Sequence, residues 1–188
     1  MKLRDAKVAI LAENDYEDME LQYPLYRMKE EGAEVTVVGT GSASEYKGKH
    51  GLPVKADTTA DKVKANDFDG VIIPGGWAPD RMRRYPAMVE FVREMDGQRK
   101  LVATICHGGW MLCSAKNVKG RTLTAVSAIK DDLENAGATF VDREVVRDGN
   151  LVTSRVPADL PAFCRTIVEV LEEQKSGAKQ PAAAAARG

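Results

Sequence analysis

The stretch from residue 100 to residue 112 constrains the fold of this chain more than any other. An apolar run, Leu101–Ile105, ends at Cys106 and His107, and two glycines then open a segment with the pattern of a helix. A strand that passes directly into a helix must turn sharply, so the residue at the turn is held on a tight, exposed corner. A thiol there faces the positive end of the helix dipole, which favours its ionised form. The pattern predicts an α/β fold with Cys106 as a nucleophile, the alternative being an ordinary buried cysteine.

Other segments repeat this order of strand and helix. Their apolar runs are continuous rather than alternating, which is typical of parallel strands covered by helices on both faces. A strong turn signal at residues 148–150 adds a small antiparallel hairpin between 139–146 and 151–154. The remaining predicted strands are 7–12, 34–38, 52–56, 69–73 and 121–126, and the predicted helices are 18–31, 79–84 with 86–96, 129–135 and 159–173.

Length and charge narrow the class of protein. A chain of 188 residues suits one α/β domain, which we place at 1–175, with an alanine-rich low-complexity tail, 176–188, predicted to be disordered. The formal net charge is -1 and the charges are interleaved, so no nucleic-acid or polybasic membrane surface is expected. No apolar run is long enough to span a bilayer and no signal peptide is apparent, so we expect a cytoplasmic protein without a membrane partner.

Cysteine and histidine usage argues against disulfide and metal frameworks. The chain has 3 cysteines and 2 histidines, without paired Cys-x-x-Cys or His-x-x-x-His spacing. We therefore expect no metal and no cofactor. Cys113 and Cys164 fall within predicted helices, where a structural role is favoured.

Candidate site residues lie in loops at the carboxyl ends of predicted parallel strands, where sites of such folds gather. Glu17 is a candidate for holding a proton beside the thiol of Cys106 if burial raises its pKa; the alternative is a solvated acid. Gly75 and Gly76 offer backbone N–H groups for an oxyanion, together with the N–H of His107; the alternative is an ordinary turn. The imidazole of His107 can act as a base, bind substrate or simply pack.

Several motifs, in this order, together resemble the PfpI family, the intracellular-protease-like branch of the superfamily that contains the Parkinsonism-associated deglycase. The likeness runs from about Lys7 to Leu171 and rests on 16–21 (YEDMEL), 48–51 (GKHG), 73–76 (IPGG), 103–108 (ATICHG), 129–132 (IKDD) and 154–160 (SRVPADL).

The resemblance implies a flavodoxin-like three-layer sandwich with Cys106 as nucleophile, Glu17 as its partner acid and His107 beside it. It also implies a homodimer or hexamer, in which an acid from a neighbouring subunit completes a Cys–His–acid arrangement. At the matching position this chain has Asp80, one methylene shorter than the glutamate expected there.

Several chemistries fit the same residues. In the preferred one, Cys106 attacks a small reactive aldehyde or an early glycation adduct and Glu17 shuttles a proton, as a glyoxalase or deglycase would; this needs only a small pocket. In the second, a peptidase uses Cys106 and His107 with Asp80 in trans. In the third, oxidation of Cys106 makes a redox-sensing stress protein or holdase. A glutaminase of the amidotransferase kind is disfavoured, because no histidine follows His107.

Overall fold

A seven-stranded sheet forms the centre of the fold. The structure is a computed structural model, which describes residues 1–177. The strands are β1 Lys7–Ala12, β2 Glu34–Gly39, β3 Glu45–Lys47, β4 Pro53–Lys55, β5 Thr58–Thr59, β6 Gly70–Ile73, β7 Leu101–Ile105, β8 Thr122–Leu123, β9 Thr139–Phe140, β10 Val145–Asp148 and β11 Leu151–Ser154. In the main sheet their order is β10-β11-β7-β6-β1-β2-β5, and every neighbouring pair is parallel except β10 with β11.

Helices cover this sheet. They are α1 Asp18–Glu30, α2 Ala78–Met82, α3 Pro86–Gly97, α4 Gly109–Ala115, α5 Lys130–Asn135 and α6 Leu160–Lys175. Helix α1 packs against α6, while α3 packs against α4, and both α3 and α6 contact β7. The flavodoxin-like arrangement of a mostly parallel sheet with helices and a small antiparallel hairpin is thus confirmed. None of the helices within residues 1–177 has the length and apolar character that crossing a bilayer requires.

Burial explains why the central strands are apolar along their whole length. Every residue of β6 and of β7 is buried, because helices cover both faces and neighbouring strands cover both edges. Continuous apolar runs are therefore the correct sequence signal for these strands, and their predicted positions are confirmed.

The shorter strands differ from prediction. Residues 45–47, where the sequence predicts no strand, form β3, which pairs with β4 in a separate antiparallel hairpin and carries the fully buried Tyr46. Of the predicted strand 121–126, only Thr122–Leu123 form a strand, β8, which pairs with β9 outside the main sheet. The predicted 139–146 strand divides into β9 and the start of β10. The predicted disordered tail lies outside the described residues from residue 178 onward.

Strand order places the functional loops together. Because β7, β6 and β1 are adjacent and parallel, the loops that follow them meet at one edge of the sheet. The loop after β1 is tied to the turn after β6 by a bridge between Tyr16 and Gly76 and by the N–H of Trp77, which donates to the carbonyl of Asp15 at 2.8 Å. These backbone hydrogen bonds hold the start of α1 close to the cysteine corner.

Gly108 tests how tightly the cysteine corner is packed. A Cβ at Gly108 would overlap Oγ1 of Thr104 and lie 2.9 Å from the carbonyl oxygen of Ile73, whereas a Cβ at Gly97 meets nothing within 4 Å. We expect Gly108→Ala to lower the free energy of unfolding by about 2 kcal/mol through overpacking. The control Gly97→Ala should leave it unchanged or raise it by up to about 1 kcal/mol, as alanine replaces glycine in a helix. Urea denaturation measures both; equal effects would contradict the packing described here.

Candidate active site

Cys106 occupies a strained corner between β7 and α4. Its φ is 59°, in the left-handed region that a non-glycine residue enters at a cost of about 1 to 2 kcal/mol. A short 3-10 turn, Cys106–Gly108, connects the strand to the helix. The backbone N–H groups of His107 and Gly76 lie near the thiol and lower its pKa, against the larger effect of burial. The predicted sharp corner is therefore present, with two backbone N–H groups near the sulfur.

Glu20 is the buried acid that lies beside Cys106: a Cβ added to Gly75 would be 2.6 Å from Oε2 of Glu20 and 2.7 Å from Cβ of Cys106. It lies in the first turn of α1, its side chain is fully buried, and its Oε2 accepts a hydrogen bond from the N–H of Gly75 at 2.8 Å. Its Oε1 has no hydrogen-bond partner within residues 1–177, and the neighbouring thiol interacts with the carboxyl group. The structure therefore joins Glu20, Gly75 and Cys106 in one buried cluster.

Glu17 lies elsewhere, so the expectation that it faces the thiol is corrected. It caps the start of α1, and its Oε2 is 2.5 Å from Nζ of Lys49 and 3.9 Å from Nε2 of His50. It is only 8% exposed, so it is not a solvated acid either. The motif 16–21 contains acids three residues apart, and residues at that spacing lie on neighbouring parts of a helix surface. Sequence spacing gave no basis for choosing Glu20 over Glu17; only the angle at which α1 enters the site decides it.

Burial controls the protonation of the Cys106–Glu20 pair. Burial raises the pKa of Glu20 to about 7, opposed by the hydrogen bond from Gly75. Burial, and next the charge of Glu20, raise the pKa of Cys106 to about 12, while the N–H groups of His107 and Gly76 lower it. The direction of this shift favours the protonated thiol, whereas the corner predicted the ionised form. Above about pH 7 the Cys106–Glu20 pair carries one negative charge. A proton can pass from the sulfur to the carboxylate without creating a second negative charge.

His107 lies beside the sulfur. Its Nδ1 is 3.3 Å from Sγ of Cys106, although neighbouring side chains on a turn commonly diverge. The ring is flanked by Trp77 and Trp110, with centroid separations of 5.5 and 5.1 Å. Burial, followed by the charge of Lys49, lowers the pKa of His107, so the imidazole is neutral near pH 7. No carboxylate within residues 1–177 is hydrogen-bonded to this ring, so its orientation comes from the two indoles.

The two glycines of the turn after β6 have different surroundings. The N–H of Gly75 is occupied by Glu20, so it is not a free oxyanion donor, and that part of the prediction is corrected. The N–H of Gly76 faces the thiol, as does that of His107. Gly76 also has a φ of 70°, and an added Cβ would clash with the backbone of residues 15–17. Glycine is therefore required here for the close approach of the two loops.

Asp80 lies on α2 at the surface. Its Oδ2 is 2.5 Å from a guanidinium nitrogen of Arg84, one helical turn later, and its side chain is 46% exposed. Within one subunit it is an exposed acid paired with a neighbouring arginine. Its predicted action on a second subunit remains a proposal.

One group of side chains near the site has donor atoms close enough for a metal ion. Glu17, Asp18 and His50 offer ligand atoms within 4.8 Å of one another. However, Glu17 is paired with the ammonium of Lys49, and both carboxylate oxygens of Asp18 accept backbone N–H groups, from His50 and Leu52. These contacts give the cluster a structural explanation and do not favour a metal centre.

The buried acid should make the protein less stable at high pH. Because the pKa of Glu20 rises from its ordinary value of 4.5 to about 7, the cost of burying its charge is absent below pH 4.5 and complete above pH 7. We expect Glu20→Gln to raise the free energy of unfolding by about 2 to 3 kcal/mol at pH 8, with the difference disappearing towards pH 4.5. Urea denaturation at several pH values measures this. A Glu20→Gln protein equally or less stable at pH 8 would contradict the assigned cost.

Comparisons with known proteins identify the family of this chain. Residues 6–170 match the DJ-1/PfpI family. A deglycase of Pyrococcus horikoshii is 48% identical over 88% of this chain and 99% of its own length, and the deglycase PfpI of Pyrococcus furiosus is 47% identical over the same shares. A crystal structure from Anabaena variabilis, of a protein with DJ-1/ThiJ/PfpI-like and ferritin-like domains, superposes with a TM-score of 0.85 at 43% identity. It covers 96% of this chain, which spans 52% of that two-domain protein.

The family match extends over most of the chain, and the relatives align over nearly their whole length. The strained cysteine corner, the buried acid and the parallel sheet are thus found in a chain that belongs to the DJ-1/PfpI family.

Proposed function

We propose that the protein is a cysteine-dependent stress-response enzyme that acts on reactive aldehydes and early glycation adducts. The observation that carries this proposal is the position of the buried carboxyl of Glu20, held by the N–H of Gly75 beside Cys106, and its pKa of about 7 suits proton transfer at neutral pH. The deglycase names of the Pyrococcus relatives support the substrate class.

The proposed reaction with methylglyoxal begins at the sulfur. Glu20 takes the thiol proton as Sγ of Cys106 bonds to the aldehyde carbon, and the proton passes to the aldehyde oxygen to complete a hemithioacetal. The N–H groups of Gly76 and His107 stabilise the charge that develops on that oxygen. Because these donors already face the sulfur, little reorganisation is required.

The second half of the reaction moves a proton between adjacent carbons. Glu20 removes the C–H proton of the hemithioacetal and returns it to the neighbouring carbon through an enediol, which leaves a thioester on Cys106. Water then cleaves the S–C bond, releases lactate and restores the thiol. With an early glycation adduct of the hemiaminal type, Sγ of Cys106 bonds to the carbon that carries the amine as the C–N bond breaks. The amine leaves with the thiol proton, which Glu20 transfers to its nitrogen, and the same hemithioacetal remains on Cys106.

A peptidase is the second candidate, and the separation of 3.3 Å between Sγ of Cys106 and Nδ1 of His107 favours it. In that reaction His107 takes the thiol proton as Cys106 attacks a peptide carbonyl and gives it to the leaving amine, and water then hydrolyses the thioester on Cys106. The arrangement requires an oligomer in which Asp80 of a neighbouring subunit orients the imidazole, and hence the release of Asp80 from Arg84. The aldehyde reaction requires neither change, which is why we prefer it.

The redox alternative receives less support from the site. Oxidation by peroxide proceeds through the thiolate, so a sensing cysteine requires a low pKa. Burial and the Glu20 charge raise the pKa of Cys106 instead.

Replacement of the nucleophile tests the proposed function. We expect Cys106→Ser to abolish conversion of methylglyoxal to lactate, while Cys113→Ser, a partly buried cysteine outside the site, keeps wild-type turnover. Lactate release is assayed beside cleavage of an unblocked peptide. Glycation adducts are tested with free dicarbonyl controlled, because early adducts release it reversibly. Wild-type turnover by Cys106→Ser would refute the mechanism, and Cys106-dependent peptide cleavage without lactate release would favour the peptidase.

The pH dependence tests Glu20. Since the carboxylate must accept the thiol proton, kcat/KM should fall as pH decreases through about 7, where Glu20 becomes protonated. Glu20→Gln should lower kcat at least about 100-fold and remove this acid limb from the residual activity. Steady-state kinetics from pH 5.5 to 9 measure both quantities. An unchanged acid limb in Glu20→Gln would exclude Glu20 as the base.

A further inference from the structure

The loop at residues 48–51 is hydrogen-bonded to the start of α1 and to the residues just before it. The N–H of Lys49 donates to the carbonyl of Tyr16 at 2.9 Å. The carboxylate of Asp18 accepts the N–H groups of His50 and Leu52 at 2.9 and 2.8 Å. These hydrogen bonds fix the backbone on both sides of Lys49, so the position of its side chain relative to α1 is determined by the fold.

The side chain of Lys49 is paired with an acid next to the nucleophile site. Its Nζ is 2.5 Å from Oε2 of Glu17, whose side chain is 11% exposed, while that of Lys49 is 39% exposed. The N–H of Glu17 donates to the carbonyl of Gly75 at 3.3 Å, and Gly75 donates its own N–H to Glu20. Burial chiefly raises the pKa of Glu20, and the charge of Lys49 opposes that rise. Burial, and next the charge of Lys49, lower the pKa of His107. The negative charge of Glu17 acts on Glu20 in the opposite direction.

We propose that Lys49 is a positioning residue of the nucleophile site, and that the Glu17–Lys49 ion pair sets how readily the Cys106–Glu20 pair becomes anionic. The positive charge stabilises the single negative charge shared by sulfur and carboxyl, and Glu17 both holds that charge in place and partly offsets it. The catalytic importance of this control rests on the proposed function. The effect of Lys49 and Glu17 on the ionisation of the Cys106 thiol can be measured without any substrate.

Two further titratable groups lie close to this arrangement. Nε2 of His50 is 3.9 Å from Oε2 of Glu17, and Nδ1 of His107 is 3.3 Å from the sulfur of Cys106. All variants below retain both histidines, so differences between profiles report Glu17 and Lys49.

The test is the rate at which iodoacetamide alkylates Cys106, followed by mass spectrometry of the peptide that contains it, from pH 6 to 10. Lys49→Met should lower the rate at pH 7 about three- to tenfold and move the profile to higher pH by about half a unit to one unit. Lys49→Arg keeps the charge and should stay within about twofold of the wild type. Lys55→Met, an exposed lysine on β4, is the matched control and should have no effect.

Glu17→Gln gives the opposite expectation, which separates charge from structural damage. Loss of its negative charge should increase the alkylation rate at pH 7, and the double variant with Lys49→Met should lie between the two single variants. Thermal unfolding confirms that each variant is folded. Equal profiles for Lys49→Met and Lys55→Met, a failure of Lys49→Arg to restore the rate, or shifts of the same sign for Lys49→Met and Glu17→Gln would overturn the inference.

Failure of the proposed function gives a different result. If these profiles move as expected but the wild-type protein consumes no aldehyde, the control of the thiol stands and the proposed substrate class is wrong. If the wild-type protein consumes aldehyde but the profiles do not move, the proposed function stands and Lys49 has no such role.

Discussion

The hydrogen bond from Gly75 to the buried carboxyl of Glu20 is the interaction on which the site depends. It joins the first turn of α1 to the turn after β6, beside the corner that follows β7. A carboxyl without this donor would be buried with neither oxygen satisfied, a cost of several kcal/mol for a charged group. The N–H therefore permits an acid to remain inside the protein, and the remaining burial cost raises its pKa into the neutral range.

A strained backbone at Cys106 and several charged side chains lie around this hydrogen bond. Cys106 keeps its left-handed backbone conformation because the packing around it is tight. The parallel strands fix the chain before the corner, and Gly108 packs closely against Thr104 and Ile73 after it. One negative charge is shared between sulfur and carboxyl, and the ion pair of Glu17 with Lys49 lies next to it. Stability and reactivity thus oppose each other at Glu20, since the burial that destabilises the folded protein is what makes the acid a useful base at neutral pH.

The central strands were predictable because burial on both faces requires apolar side chains along their whole length, as in β6 and β7. The short strands were not, since two-residue pairings such as β8 with β9 depend on tertiary neighbours rather than on a local pattern. The cysteine corner was predictable from its strand-to-helix junction. Its protonation was not, because local features favoured a thiolate whereas burial and the charge of Glu20 raise the pKa of the thiol.

The sequence by itself therefore determined an α/β fold with Cys106 at a sharp corner near an acidic loop and a glycine turn, because residue type and periodicity encode these local features. Only the tertiary structure decided which acid meets the sulfur. Glu17 precedes the first residue of α1 and Glu20 lies in its first turn, and the direction of α1 places Glu20 beside Cys106 and Glu17 beside Lys49. The direction of a helix is set by packing between segments distant in sequence, such as α1 with α6, and no local pattern records it.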